Sequence, residues 1–226
     1  MVICYSSSVP KPGFLIQVSD FIANIQGEKL RLLSERAIFW KKKQMLILSD
    51  LHLGKAGHFR KHGIPVSRKI HLSDLQTLEK LIQANKPKQV ILLGDLFHSV
   101  ENNEWNDFLQ FLEVYDNVKF TLIEGNHDIL LEYPKSMELL PILKMPPFSF
   151  THIRQDSGCY NISGHIHPGV SIRGKGRQSI TIPCFHFAAS YAVLPAFGQF
   201  TGIKKIRPKK GDRVFGIADR SIIELT

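Results

Sequence analysis

Three apolar runs in this chain each end in a short segment rich in Gly, Asp and His. Met45-Leu46-Ile47-Leu48-Ser49 leads into Asp50-Leu51-His52. Val90-Ile91-Leu92-Leu93 leads into Gly94-Asp95-Leu96-Phe97-His98, and Phe120-Thr121-Leu122-Ile123 into Gly125-Asn126-His127-Asp128. Each run reads as a strand that stops where the polar segment begins, and open α/β sheets bind ligands at the carboxyl ends of their strands. A fourth segment, Gly164-His165-Ile166-His167, carries the same residue types. Together the four read as one metal-centred active site.

The length of 226 residues fits one domain, taken as 1–226, with catalytic motifs over 45–168 and a β-rich completion over 169–226. With 43% hydrophobic and 22% charged residues, the chain can bury a full core and is not disordered. It lacks the roughly 18 to 20 apolar residues in a row that span a bilayer, so no membrane association is expected. The start shows neither a basic leader nor a long apolar stretch. Cys4, Cys159 and Cys184 are odd in number and widely spaced, which favours reduced thiols in the cytoplasm. The net charge of +9 points to a polyanionic partner, nucleic acid foremost, although a solvated basic surface is an ordinary alternative. Nothing in the sequence sets an oligomeric state.

Alternating apolar and polar positions over Phe21–Ile25, Leu30–Leu33 and Ala37–Trp40 predict two or three antiparallel strands. Apolar residues at Ile70, Leu72, Leu75, Leu78, Leu81 and Ile82 predict a helix over Ser67 to Asn85, ending near Pro87. A second helix is expected over Glu104 to Tyr115, through Trp105, Phe108, Phe111 and Leu112, and a short third one from Asp128 to about Pro134. The two long helices alternate with strands, as in a partly parallel sheet. After Pro146-Pro147 short strands follow, at 148–151, 159–162, 179–182, 193–194 and 213–217. The expected product is α/β, with two packed mixed sheets and helices outside.

Asp50 and His52 stand two apart, and on an extended strand such residues point the same way, so both can reach one ion. Asp95 adds a carboxylate able to bridge two ions. Asn126 offers an amide oxygen, and His165 and His167 repeat the two-residue spacing. Mixed oxygen and nitrogen donors without thiolate suit Mn, Fe, Zn or Co, with Mg also possible, rather than a structural zinc site. So many donors exceed the needs of one tetrahedral ion, and two ions clamping a phosphate ester fit better.

The order D-x-H, G-D, G-N-H-D and G-H-x-H resembles the calcineurin-like metallophosphoesterase superfamily. The resemblance implies a four-layer αββα sandwich of two mixed sheets flanked by helices. It also implies that Asp50, His52 and His167 hold a first ion, that Asp95 bridges, and that Asn126, His165 and a lone histidine hold a second. His152 is the candidate for that histidine. His127 resembles the family's non-ligand histidine that protonates the leaving oxygen, a task suited to imidazole chemistry near neutral pH. Asp128 would either orient that ring or cap the following helix. His98 matches a form seen in the superfamily's double-strand-break repair nucleases, with a role at the phosphate or in a supporting hydrogen bond.

Longer stretches, among them Ser49-Asp50-Leu51-His52-Leu53-Gly54-Lys55, Gly164-His165-Ile166-His167-Pro168-Gly169-Val170 and Leu194-Pro195-Ala196-Phe197-Gly198-Gln199-Phe200-Thr201-Gly202, resemble the PdeM family of bacterial ligase-associated DNA damage response endonucleases. That resemblance implies a manganese-favouring phosphodiesterase in DNA repair, functionally associated with a DNA ligase and helicase. Lys55, Arg60, Lys61, Arg173, Lys175 and Arg177 follow metal-bearing motifs, where further phosphates would pass, and Lys204 to Arg213 hold a second basic cluster. Phe59, Phe185 and Phe197 are candidates to stack on bases, with core packing as the plainer account. Two other readings stay open: a phosphoesterase of small nucleotides or nucleoside diphosphates, and a metal-free binding scaffold.

Overall fold

The chain is described by a computed structural model at residues 17–18, 20–55, 69–97, 103–128, 133–174 and 178–225. Strand β1 (Gln17–Val18) precedes an antiparallel ladder of β2 (Asp20–Ile25), β3 (Glu28–Leu33), β4 (Ala37–Trp40) and β5 (Met45–Leu48). Helix α1 (Lys69–Asn85) leads to β6 (Gln89–Leu93), and α2 (Asn103–Val114) leads to β7 (Lys119–Ile123). Strands β5, β6, β7 and β8 (Met137–Leu140) pair in parallel, so β2 to β8 make one mixed, seven-stranded sheet.

The remaining strands are β9 (Leu143–Met145), β10 (Phe148–Phe150), β11 (Tyr160–Ser163), β12 (Pro168–Arg173), β13 (Ser179–Phe187), β14 (Tyr191–Val193), β15 (Lys204–Lys205), β16 (Arg213–Ala218) and β17 (Ser221–Leu225). With β1 they form a ten-stranded sheet, parallel at β10–β11, β11–β14 and β12–β15 and otherwise antiparallel.

The central strands are apolar throughout because both of their faces are covered. Phe39, Leu46, Leu48, Val90, Leu92, Phe120 and Leu122 point toward the helices. Their alternate neighbours Ile38, Trp40, Met45, Ile47, Ile91, Leu93 and Ile123 point toward the second sheet. Leu75, Leu78, Leu81 and Ile82 of α1 and Trp105, Phe108 and Leu112 of α2 close the first side, at the predicted helical period. Lys86 ends α1 in the left-handed region at φ 47° just before Pro87, which cannot continue a helix. Between the sheets, Phe148, Phe150, Ile162, Phe185 and Phe215 face Trp40, whose ring meets Phe148 edge-on at 5.0 Å.

The two mixed sheets, both long helices and the N-terminal ladder follow the sequence expectation. Strands β1, β8, β9, β12, β15 and β17 do not appear in it; β1, β9 and β15 are only two or three residues long. The helix expected after Asp128 falls mostly on residues outside those described. Because Phe148 is fully buried between the sheets, Phe148→Ala is expected to lower stability by about 3–5 kcal/mol. Urea unfolding monitored by circular dichroism measures that loss.

Candidate metal centre

The polar segments after β5, β6 and β7 meet those after β10 and β11 at one end of the sandwich. The chain does not stay extended there. Asp50, His52, Asp95, His165 and His167 all have positive φ, between 48° and 72°. Left-handed backbone at a residue other than glycine costs of order 1–3 kcal/mol and persists only where surroundings impose it. Here neighbouring loops impose it: the Asp50 N–H donates to Gly94 O (3.2 Å) and the His52 N–H to Asp95 O (2.9 Å). Asp50 and His52 therefore converge through a folded-back loop, not through the i, i+2 geometry of an extended strand.

Two groups of donor atoms result: Asp50, His52 and His167, and Asp95, His152 and His165. In the first, His167 Nε2 lies 3.3 Å from both His52 Nε2 and Asp50 Oδ1. In the second, His152 Nε2 lies 3.0 Å from Asn126 Oδ1, 3.1 Å from His165 Nδ1 and 3.3 Å from Asp95 Oδ1. Asp95 turns its two oxygens to different groups, with Oδ2 4.0 Å from His52 Nε2. Donors about 2.1 Å from a tetrahedral ion stand about 3.4 Å apart, so these spacings are those of ligand shells.

Hydrogen bonds set which nitrogen two of the rings present. His152 Nδ1 donates to Leu93 O (2.9 Å) and His167 Nδ1 donates to Gly202 O (3.2 Å). That leaves each Nε2 lone pair directed into the cluster, the usual arrangement behind a metal-ligating histidine. The carboxylates are just as fixed: Asp50 accepts the His165 N–H at 3.0 Å, and Asp95 accepts the His127 N–H at 3.0 Å. Burial alone would push the Asp50 carboxyl up, but when the His167 and His152 rings are protonated their hydrogen bonding and charge hold it below the ordinary carboxylate range. Burial pushes His165 down, and the neighbouring His152 adds to that. Gly94 has φ +73° and packs so closely against the His152 ring that any Cβ there would collide with it.

A family profile described as Calcineurin-like phosphoesterase matches residues 44–213. The chain belongs to the calcineurin-like phosphoesterase family. Such proteins are hydrolases of phosphoester bonds that use divalent metals, and the two donor groups lie within the matched span. The solved nuclease MPE of Pseudomonas putida is similar over 91% of this chain and 100% of its own, at 26% identity and a TM-score of 0.77. That agrees with the resemblance to PdeM. The E. coli phosphoesterase Yfce covers 80% of this chain and 97% of its own at 17% identity, with a TM-score of 0.39, too loose to bear on function. No curated protein sequence matches the chain.

All seven expected ligands of this calcineurin-like phosphoesterase lie in or against the two groups, Asn126 through its contact with His152. The His127 ring lies edge-on to His52, with centroids 5.9 Å apart. Asp128 departs from one of its two expected roles, and the helix of the other lies mostly outside the described residues. The buried Asp128 carboxylate accepts the backbone N–H groups of Leu96 (2.8 Å), Phe97 (3.1 Å) and Gly125 (2.9 Å), so it clamps the Asp95 loop instead of orienting the His127 ring. Burial raises its pKa, against the pull of those donors.

Lys55 is half-buried, and burial pushes its pKa down while Asp95 and Asp50 draw it up, so the ammonium lies within electrostatic reach of both groups. Arg173 sits apart, at the far end of β12, five residues or about 16 Å along the strand from Pro168. Phe185 and Phe197 are buried in the core and cannot stack on a base. His98, Phe59, Arg60, Lys61, Lys175 and Arg177 lie outside the described residues. Among the described residues, no helix is long and apolar enough to cross a membrane.

Sequence reasoning missed Asp74, a carboxylate on α1 that is only 5% exposed. It carries no motif, and a lone Asp on a helix gives no signal. Burial pushes its pKa up from 3.8 to about 7, against the pull of the Gln199 N–H and Arg36. A raised folded-state pKa means the native protein holds the proton more tightly than the unfolded chain. Stability from this group is therefore fully present below pH 3.8 and is lost as pH rises through about 7. Asp74→Asn cannot ionise, so its stability relative to the wild type should rise between pH 5 and pH 8 in urea unfolding. A constant difference across that range would remove Asp74 as the titrating group.

Proposed function

We propose that this chain is a binuclear, manganese-favouring phosphodiesterase that cleaves DNA in bacterial DNA repair. The observation that carries the proposal is Asp95, one carboxylate with its two oxygens turned toward two histidine-containing donor groups. In this reading Asp50, His52 and His167 hold a first ion. Asn126, His152 and His165 hold a second, and Asp95 is shared. Four imidazoles, two carboxylates and an amide, without thiolate, fit Mn, and also Fe, Zn or Co. Two bound divalent ions supply Lewis acidity to the phosphate and acidify the attacking water.

The chain's own residues do the rest. His152 and His167 present lone pairs whose direction the Leu93 and Gly202 carbonyls hold. His127, beside His52 yet outside both donor groups, delivers a proton to the departing oxygen. Lys55 places a cation near Asp50 and Asp95, where it can meet a phosphate oxygen. His98 assists at the phosphate, and Arg60, Arg173, Lys175 and Arg177 contact further phosphates.

DNA as substrate draws support from the similarity to the P. putida nuclease and from the surface beside the donors. Strand β15 pairs with β12 immediately after His167, and Lys204, Lys205, Arg207, Lys209 and Lys210 are exposed along it and beyond. None of the five makes an ion pair among the described residues. A repair role places the protein in the cytoplasm, working with a DNA ligase and helicase. The free thiols Cys159 and Cys184 fit a reducing compartment.

Manganese-loaded protein should cleave single-stranded or plasmid DNA and bis-p-nitrophenyl phosphate, and leave a panel of small nucleotides largely intact. Preference for the nucleotide panel would overturn the DNA assignment. His127→Ala should retain two ions yet turn over diesters 10²- to 10⁴-fold more slowly, as loss of a general acid does. Wild-type turnover in metal-loaded His127→Ala would exclude it as the proton donor. Lys204→Ala with Lys205→Ala should weaken DNA binding and flatten its salt dependence by about 0.7 in log–log slope per lost phosphate contact on a single strand.

A further inference from the structure

The segment from Pro195 to Lys204 forms a strap across the first donor group. Its Phe197 N–H donates to Ser49 O (2.8 Å), and its Gly198 N–H donates to Asp50 O (3.2 Å). The Gly202 carbonyl accepts His167 Nδ1–H (3.2 Å), and the Lys204 N–H donates to His167 O (2.9 Å). The strap therefore holds the backbone of Asp50 and the ring and backbone of His167. Among the described residues it makes no hydrogen bond to Asp95, His152 or His165, the members of the second group.

The strap is itself anchored from the opposite side. The Gln199 N–H, next along the chain from the N–H that meets Asp50, donates to both oxygens of Asp74 (3.2 and 3.3 Å). Arg36 Nη1 donates to Ala196 O (3.3 Å) and Gly198 O (3.4 Å), and Gln199 Nε2 donates to Ser73 Oγ (3.0 Å). Gly198 has no room to move inward, because its α-carbon packs directly on the Leu51 carbonyl. Asp74 and Arg36 come from α1 and from the turn between β3 and β4, neither of which contributes a donor to the cluster. A buried carboxylate that is hydrogen-bonded to one loop and costly to desolvate has a position to hold.

We propose that Asp74 and Arg36 are positioning residues for the first metal position, acting through the Pro195–Lys204 strap. The inference rests on the reading that the two donor groups hold two ions. Without the anchors, the strap relaxes away from Asp50 and His167, and the first position loses the alignment of its donors. The second position keeps its own supports, Leu93 O behind His152 and Asp128 behind the Asp95 loop. The two positions should thus separate in affinity.

The test is Mn²⁺ titration calorimetry and metal content after gel filtration, on the full chain, for the wild type, Asp74→Ala, Asp74→Asn and Arg36→Met. Hydrogen-bonded groups behind metal ligands are typically worth 10- to 100-fold in affinity. Asp74→Ala and Arg36→Met should each retain one tight ion and bind the other about tenfold or more weakly, with activity restored by excess Mn²⁺. Asp74→Asn keeps an oxygen for the Gln199 N–H and should hold both ions. Should Asp74→Ala fail to fold, Arg36→Met carries the test.

Double variants identify which ion is weakened, since effects on one shared position do not add. Asp74→Ala with His165→Ala should hold neither ion tightly, whereas Asp74→Ala with His167→Ala should still hold one tightly. Two ions bound by Asp74→Ala and Arg36→Met at wild-type affinity would overturn the proposal, as would equal weakening at both positions. A wild-type protein that takes up only one ion would instead overturn the two-ion reading beneath it.

Discussion

Asp50 and Asp95 are 1% and 2% exposed, and they share a small volume with the inward-facing nitrogens of four histidines. Carboxylates and lone pairs brought this close in a region of low dielectric repel one another and lose their hydration. Everything around the cluster serves to hold that arrangement. The left-handed backbone at five donors, the carbonyls behind His152 and His167, and the three N–H groups gathered by Asp128 each remove a way for the donors to spread apart. A divalent cation of the kind this family uses would relieve that repulsion, and the donor types are those expected of a calcineurin-like phosphoesterase.

The two sheets make this possible because they bring strand ends together from two directions. The parallel strands β5, β6 and β7 deliver Asp50, His52, Asp95 and Asn126 from one sheet. The ends of β10 and β11 deliver His152, His165 and His167 from the other. Each sheet supplies part of both donor groups, so the cluster forms only when the sandwich is closed. The apolar layer between the sheets, from Trp40 and Ile47 to Phe148 and Phe185, thus supports the site as well as the fold.

Much of this was legible in the sequence. Strand and helix periodicity located β5, α1, β6, α2 and β7, because apolar burial on two faces or on one stripe leaves a direct pattern. The four polar segments marked every donor except His152 because Asp, His and Gly cluster where strands stop; His152 came only from the family resemblance. Where the local argument failed, it did so for a physical reason. Asp50 and His52 do not share a face of an extended strand; they converge through backbone that neighbouring loops force to positive φ. Asp128 looked like a partner for the histidine beside it, yet its carboxylate turned to backbone amides that only the folded Asp95 loop brings near.

By itself the sequence determined which atoms are available: the donor types, their order, the strands that carry them and a basic surplus. Those follow from composition and short-range periodicity, which do not depend on how distant segments meet. The tertiary structure alone decided the rest. It turned the backbone of Asp50 and His52 to positive φ, selected the nitrogen that His152 and His167 present, and set Asp74 and Arg36 behind a strap more than a hundred residues away in the chain. Such contacts depend on positions in space, and a helix with one unremarkable aspartate carries no local trace of them.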